Sequence, residues 1–314
     1  MPAEPTHFFS RPIIVFCLAT LCTLLWGSAY PAIKTGYVLL NIEAHDVASQ
    51  MVFAGQRFLL AGLFLIILCV LFRKRFRSLT RQKMRQILVL GLTQTSLQYI
   101  FFYIGVAFAT GVKASIMNST GTFFSVLLAH FIYQNDRLTH RRTIGVIIGF
   151  LGVFIVNFNK SLLNFDFSLL GEGSVVFAAF ILAAASIYGK KISQGIDAMV
   201  MTAWQLAIGG LALLLIGLIL GGHSGEFDLA STVLLIYLAG LSSAAFALWS
   251  VLLKYNSVSK VTIFNFLVPV FGSSLSSLFL GEAILEAKNI IALILVCSGI
   301  YLVTLNKPVV SFKQ

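Results

Sequence analysis

The stretch Lys113-Ala-Ser-Ile-Met-Asn118 recurs 147 residues later as Lys260-Val-Thr-Ile-Phe-Asn265. Continued with the same shift and without a gap, residues 113–160 match residues 260–307 at 12 of 48 positions. Two unrelated apolar helices would share fewer identities by chance. The sequence therefore predicts that the chain is built from two copies of one unit.

Long apolar runs fill most of the chain on either side of this stretch. Of the 314 residues, 58% are hydrophobic and 11% are charged, whereas soluble domains carry roughly 25% charged residues. This composition argues against a water-soluble enzyme and against a disordered chain. A helix needs about 20 apolar residues to cross a bilayer. Ten segments are predicted to do so: 13–33, 48–72, 87–109, 114–132, 143–158, 173–189, 199–220, 232–253, 261–280 and 289–305.

The shift of 147 residues covers five of these segments, which is an odd number. A copy displaced by an odd number of spans lies upside down in the membrane relative to the first copy. We therefore predict an all-α integral membrane protein with ten transmembrane helices in two inverted five-helix repeats. The predicted repeats are residues 1–158 and 173–314, joined by a loop at residues 159–172. Secondary transporters have this architecture, with the substrate near the midplane between the halves.

The charges follow the predicted spans. With the N-terminus in the cytoplasm, 17 of the 22 Lys and Arg residues fall in cytoplasmic loops, and eight of the 11 acidic residues fall outside. This positive-inside pattern predicts a multi-pass protein of the cell membrane with both termini cytoplasmic. The short loops favour a bacterial inner membrane. The net charge of +11 is thus explained by topology and gives no reason to expect a nucleic-acid partner. Membrane lipids are the expected neighbours, with anionic lipid near the basic loop at residues 73–85.

Several short motifs follow one another in a fixed order. They are Trp26-Gly27-Ser28, Arg57-Phe58-Leu59-Leu60-Ala61, Pro269-Val270-Phe271 and Leu280-Gly281-Glu282. In order and spacing, and with the duplication, the chain resembles the ten-span EamA-type members of the drug/metabolite transporter superfamily over nearly its whole length. The resemblance implies transport of a small metabolite, such as an amino acid or a related solute, often outward. The chain departs from the family pattern at Thr122, where proline is usual, and at Gln134-Asn135, where Gly-Glu is usual.

Polar and aromatic side chains within the predicted spans are candidates to line a substrate cavity. Gln94 and Gln98 stand four residues apart, as do Thr95 and Tyr99, so all four share one broad stripe of the third span. Unpaired amides are costly in hydrocarbon, so these groups either line a wet cavity or bond across helices. The aromatic candidates either line the cavity or serve packing and the membrane interface. The candidate cavity residues are Trp26, Tyr30, Gln94, Gln98, Tyr99, Asn118, Thr122, Tyr188, Trp249 and Asn265.

Arg57 is the one ionised residue well inside a predicted span. A charge at the bilayer centre costs about 2.5–3.5 kcal/mol on insertion scales, so it should face protein or water. We expect a structural role, in which Arg57 pairs with helix-end carbonyls or reaches an interface, because the resemblance makes this arginine a general feature whatever the substrate. Binding of a substrate anion is the alternative. Pro269 frees the carbonyl of Asn265 one turn earlier, which predicts either a hinge or a packing kink.

We expect neither a cofactor nor a metal, because the four cysteines form no CxxC pair and no His/Cys cluster. The spans also lack a central Asp, Glu or His, which disfavours a proton relay built on carboxylates. Facilitated diffusion or exchange of a small-molecule solute by alternating access is the simpler mechanism. An integral-membrane enzyme, which would need clustered catalytic groups, and a receptor-like membrane protein are the alternatives. The sequence leaves open the identity of the substrate, the direction of flux, and whether the protein is a monomer or a homodimer.

Overall fold

The computed structural model describes residues 7–74, 79–158, 167–280 and 287–305, and the regular structure in these ranges is helical. Two π-helical turns cover Gly91–Leu97 and Leu169–Gly173, and a 3-10 turn covers Ile263–Phe266. The α-helices are α1 (Pro12–Leu39), α2 (Val47–Leu71), α3 (Arg81–Leu90), α4 (Gln98–Phe108), α5 (Gly111–Ile132), α6 (His140–Val156), α7 (Ser174–Ser193), α8 (Ala198–Ile219), α9 (Leu229–Tyr255), α10 (Val258–Thr262), α11 (Leu267–Leu280) and α12 (Ala287–Thr304).

All ten predicted spans coincide with helices, but the described residues contain eight segments long and apolar enough to cross a membrane. The predicted fifth span falls on α6, which has 17 residues, and the tenth falls on the shorter apolar helix Ile290–Thr304. The fold is therefore an all-helical, multi-pass membrane protein. The eight segments are Pro12–Leu39, Val47–Leu71, Arg81–Phe108, Lys113–Ile132, Leu169–Ser193, Ala198–Ile219, Leu229–Tyr255 and Val258–Ser276.

Short polar side chains fix the starts of many helices. Asp46, Thr80, Thr110, Thr139 and Asp228 each accept a hydrogen bond from the backbone N–H three residues further on. A cap of this kind stabilises a helix by about 1 kcal/mol. Because the caps stand outside the apolar runs, hydropathy alone places the helix ends only to within a few residues.

The centre of the bundle is the crossing of α2 and α8, whose backbones nearly touch. A Cβ atom added to Gly62 would lie 2.3 Å from the backbone nitrogen of Ala207, and one added to Gly210 would lie 2.3 Å from that of Leu59. Small residues allow membrane helices to approach this closely. Glycine at these positions therefore sets the distance between the two central helices.

The other helices pack against one another in a repeated pattern. α1 packs against α9 and α11, while α7 packs against α4 and α5. α2 also contacts α9, and α8 contacts the π-helical turn Gly91–Leu97. α6 and α12 form a separate close pair in which Gly145 and Gly299 bring the two backbones together. The two halves of the chain are thus interleaved, and the core lies between them.

One end of the bundle is rich in lysine and arginine, and we call it the basic end. Here Lys74 pairs with Asp197 at 3.0 Å, and Asp136 accepts a hydrogen bond from the backbone N–H of Ser259 at 3.1 Å. These contacts bring together described loops that the sequence predicts on a single side of the membrane. The basic end comprises residues 7–11, 72–74, 133–142, 190–197 and 254–260.

The opposite end, which we call the acidic end, is joined by one further ion pair and by one histidine–aspartate contact. Lys113 pairs with Glu172 at 3.3 Å, and His223 lies 3.5 Å from Asp46. The first pair joins α5 to the turn before α7, and the second joins the start of α2 to the loop before α9. Both pairs therefore connect the two halves of the chain. The acidic end comprises residues 40–47, 109–113, 167–173 and 220–229.

Candidate functional site

A row of aromatic rings crosses the interior of the bundle. The ring centroids are 4.9 Å apart for Trp249 and Trp26, 5.5 Å for Trp26 and Phe246, 5.9 Å for Phe246 and Phe58, and 4.6 Å for Phe58 and Tyr99. These distances are typical of favourable aromatic pairs. We call these five residues the aromatic row. It unites residues of α1, α2, α4 and α9, so only the tertiary structure assembles it.

Arg57 lies against the aromatic row. Its Cζ atom is 4.2 Å from the ring centroid of Phe58 and 5.9 Å from that of Tyr99, within the range of cation–π attraction. The residue is 4% exposed, and its Nε atom has no hydrogen-bond partner. The ion pairs found among the described residues do not include Arg57. Two aromatic rings thus flank the guanidinium, and the role of Arg57 stays a prediction.

Several tyrosine hydroxyls lie close to Arg57. The hydroxyl of Tyr99 is within electrostatic range of Arg57, Tyr103 and Tyr30. The hydroxyl of Tyr37 is within electrostatic range of Tyr103 and of Arg57. A phenol can donate its proton to an oxyanion. The tyrosines and the guanidinium therefore form one group of hydrogen-bond donors.

The polar side chains of the π-helical turn in the third span point in two directions, some toward α8 and one toward α7. Thr95 accepts a hydrogen bond from Gln205 of α8 at 3.3 Å, and Ser96 donates to a backbone carbonyl of α8 at 2.8 Å. These two residues bond across helices, which was one of the two roles predicted for this stripe. Gln94 faces α7 instead, where its Oε1 lies 3.9 Å from the position that a Cβ would take on Gly189.

Gln94 lines a small cavity between α7, α8 and α9. The cavity has a volume of about 10 Å³, which leaves room for roughly one water molecule. Phe246 and Trp249 of the aromatic row form part of its wall. A metabolite can therefore enter only if these helices move apart. The walls are formed by Gln94, Ser186, Gly189, Lys190, Met201, Phe246, Trp249, Ser250 and Leu253.

The remaining predicted amides lie on α4, on α5 and on the broken ninth span. Gln98 is buried, and its Oε1 atom has no hydrogen-bond partner. Thr122 donates to the carbonyl of Thr262 at 3.4 Å and so joins α5 to α10. Asn118 stands one turn before Thr122, and Asn265 stands three residues after Thr262; both are half-buried. Asn118 thus lies on α5, which this bond connects to α10, and Asn265 lies on the 3-10 turn that follows α10.

The ninth span changes from α-helix to 3-10 helix over Ile263–Phe266, three residues before Pro269. Pro269 has no N–H to offer the carbonyl of Asn265, and the N–H of Leu267 donates to the carbonyls of both Phe264 and Asn265. A 3-10 stretch inside a longer helix often marks a hinge. The backbone is thus irregular where the proline predicts it, and hinge motion stays a prediction.

The predicted aromatic residues do not all lie at this site. Tyr188 packs with Trp204 in a separate apolar cluster near the basic end. Conversely, Phe58 and Phe246 belong to the aromatic row, although neither is among the cavity residues that the sequence predicts. Two signals were available, since Phe58 directly follows Arg57 and Phe246 lies one turn before Trp249 on the same helix.

The site offers hydrogen-bond donors, acceptors and aromatic faces. Arg57 and the tyrosine hydroxyls can hold a carboxylate, the preferred planar partner of a guanidinium. The unpartnered Oε1 of Gln98 can accept a hydrogen bond from an ammonium or an amide. Within the described ranges, no three His, Cys, Asp or Glu side chains lie close enough to hold a metal ion. The arrangement suits a small solute that carries a carboxylate and an apolar part.

Comparisons with known proteins agree with one another. The profile of the EamA-like transporter family matches residues 13–158 and again residues 169–305. The Bacillus subtilis (strain 168) protein named Uncharacterized transporter YoaV is 28% identical over 286 residues, or 90% of this chain and 94% of that protein. An uncharacterized transporter of Archaeoglobus fulgidus is 26% identical over 294 residues, or 91% and 96% of the two chains. A crystal structure with 18% identity has the same fold, with a TM-score of 0.78 over 94% of this chain and 98% of that one.

Proposed function

Because the chain belongs to the EamA-like transporter family, we propose that it is a secondary transporter for a small organic solute with a carboxylate group, such as an amino acid. The family match and the names of its relatives indicate a membrane transporter and not an enzyme. The observation that carries the substrate class is the burial of Arg57 without a carboxylate partner among the described residues. A buried cation gains most from an anion that completes its hydrogen bonds.

We propose that the chain works as two inverted five-helix repeats, residues 1–158 and 173–314, with α6 and α12 completing ten spans. Two observations support this proposal. The family profile matches the chain twice, and α1 packs on α9 and α11 as α7 packs on α4 and α5. A pseudo-two-fold axis in the membrane plane would relate the packing of α1 in one half to the packing of α7 in the other half.

Transport would follow from rocking of the interleaved halves, which opens the basic end and the acidic end in turn. The small volume of the cavity supports such motion, since a metabolite needs more room. The basic end would face the cytoplasm of a bacterial cell, and net flux would be outward along the solute gradient by facilitated diffusion or exchange. One chain would be enough to carry out transport, whether the protein is a monomer or a homodimer.

Mass spectrometry of the culture medium tests this proposal. Cells that express the chain are compared with cells that express the Gln98→Leu variant and with cells that carry an empty vector. We expect one class of carboxylate-bearing solute to accumulate outside only with the intact protein. Accumulation of a class without a carboxylate would refute the proposed substrate class. Three identical media would contradict export, and uptake by reconstituted vesicles would then be measured with a panel of solutes.

Gln98→Leu and Asn265→Leu are each expected to abolish transport and to leave the yield of folded protein unchanged. Leucine at position 98 removes a buried oxygen that has no partner, so its folded state loses no hydrogen bond. Exchange in proteoliposomes and size-exclusion chromatography measure the two properties. Gln205→Leu is the matched control, because Gln205 donates a hydrogen bond to Thr95. Its loss should lower the thermal stability of the protein more than its transport rate. Normal transport by both variants would show that these amides lie off the solute path.

A further inference from the structure

A single lysine of α7 holds the C-terminal end of α9 at the basic end. The Nζ atom of Lys190 donates to the carbonyl of Leu253 at 2.6 Å and also to the carbonyl of Asn256. These are among the last carbonyls of α9, which have no donor within the helix. Gln194, one turn further along α7, donates to the carbonyl of Lys254 at 3.2 Å. Lys254 of α9 donates in the other direction, to the carbonyl of Ile196 just beyond α7, at 2.9 Å. Lys190 makes the two shortest of the hydrogen bonds that fasten these ends together.

Lys190 has no ion-pair partner among the described residues. Asp136 attracts it electrostatically, but the two carboxylate oxygens of Asp136 bond elsewhere. One accepts from Arg142 at 2.7 Å, and the other accepts from the backbone N–H of Ser259 at 3.1 Å. The ammonium of Lys190 thus rests on neutral carbonyls. A mobile carboxylate would offer Coulomb attraction that these carbonyls lack.

The same lysine also forms part of the cavity wall. Gln94, Ser186 and Ser250 line the cavity beside it, and Phe246 connects this wall to the aromatic row. If the end of α9 moved away from α7, the ammonium would face a wider cavity. That cavity would lead along Phe246 toward Phe58, against which Arg57 lies.

We propose that Lys190 is a second carboxylate-binding site, and that it holds the basic end closed until an anion binds its ammonium. We call this arrangement the latch. Without solute, its ammonium holds the end of α9 and keeps the basic end closed. A carboxylate that arrives at this end exchanges places with the two carbonyls, and α9 is released. The solute carboxylate then passes along the aromatic row to Arg57. The identity of the anion rests on the proposed function, whereas the fastening of α9 by Lys190 does not.

Thiol labelling at Ser186 tests the latch. Ser186 lines the cavity and is buried, so the thiol introduced by Ser186→Cys should react slowly with a hydrophilic maleimide in the purified protein. Labelling of the parent chain, with its native cysteines, gives the background. We expect Lys190→Met in the Ser186→Cys background to raise the labelling rate at least about tenfold without solute. Lys191→Met, at the exposed neighbouring residue, should leave the rate unchanged.

The anion requirement is tested on the same Ser186→Cys protein with L-leucine and L-phenylalanine and their amides, which lack the carboxylate. The acids should accelerate labelling, the amides should not, and Lys190→Met should respond to neither. The latch is contradicted if Lys190→Met is labelled as slowly as the protein that keeps Lys190. The anion site is contradicted if acids and amides accelerate labelling equally. If Lys190→Met does not fold, Lys190→Gln, which keeps an N–H donor without the charge, provides the comparison. The solute-free comparison stands even if the proposed substrate class is wrong, because it requires no transported carboxylate.

Discussion

Replacement of Arg57 by leucine is expected to abolish the recognition of carboxylate solutes while the protein still folds. Loss of one partner of a buried, hydrogen-bonded charge pair costs about 2–5 kcal/mol, which is a loss of affinity of about 30-fold or more. Folding should survive because leucine still packs against Phe58 and Tyr99, and because no carboxylate in the ion pairs of the described residues would be left unpaired. Thermal stabilisation of the purified variant by a panel of amino acids, and exchange in proteoliposomes, measure the effect.

Two controls separate recognition from structure. Arg57→Lys keeps the charge but loses the planar guanidinium that stacks on Phe58 and can bind a carboxylate with two bonds, so it should retain part of the affinity. Amino acid amides should affect the original protein and the leucine variant alike. A leucine variant that is poorly expressed but retains full selectivity would instead support the structural role that the sequence favoured for Arg57.

Gly62→Val is expected to remove most of the folded protein. The added Cβ would lie 2.3 Å from the nitrogen of Ala207 and 2.8 Å from the carbonyl oxygen of Ala203. Both are backbone atoms, which cannot rotate away as a side chain can, so α2 and α8 must separate. Overpacking typically costs about 1–3 kcal/mol, and a shift of the central helix pair should reach the upper end of that range or exceed it. Size-exclusion chromatography and thermal unfolding in detergent measure the loss.

Gly240→Val provides the matched control for this substitution. Gly240 also lies within a long helix, α9, but an added Cβ would meet no atom within 4 Å. Valine brings the same restriction of side-chain rotamers to both helices, so the difference between the two variants isolates the close approach of α2 and α8. Equal stability of the two would show that the distance between these helices is not critical.

The sequence was a good guide to the helices because lipid leaves a spanning backbone little choice. A segment in hydrocarbon must satisfy its hydrogen bonds internally, and all ten apolar runs are indeed helical in the structure. It was a poorer guide to where each helix begins and ends. The predicted fifth span covers residues 143–158, whereas α6 begins at His140, where Thr139 caps it, and ends at Val156.

The polar stripe of the third span shows where sequence periodicity reaches its limit. Four residues of this stripe were predicted to share one side, yet Thr95 bonds α8 while Gln94 faces the cavity. The π-helical turn between α3 and α4 changes the angle between successive side chains. It lies where α8 approaches most closely, since a Cβ on Gly209 would be 2.4 Å from the carbonyl oxygen of Gly91. No pattern within the third span records this contact, because it depends on a residue more than 100 positions away.

The sequence by itself determined the helical membrane fold, the family, the distribution of charge between the ends of the helices and the presence of a buried arginine. Hydropathy and charge determine these properties because each depends on a short segment and its solvent. Only the tertiary structure decided which side chains meet Arg57 and Lys190. The rings beside Arg57 come from α2 and α4, and the carbonyls beside Lys190 come from α9. Helical periodicity gives the direction of a side chain relative to its own axis, whereas its partners depend on how helices far apart in the chain pack together.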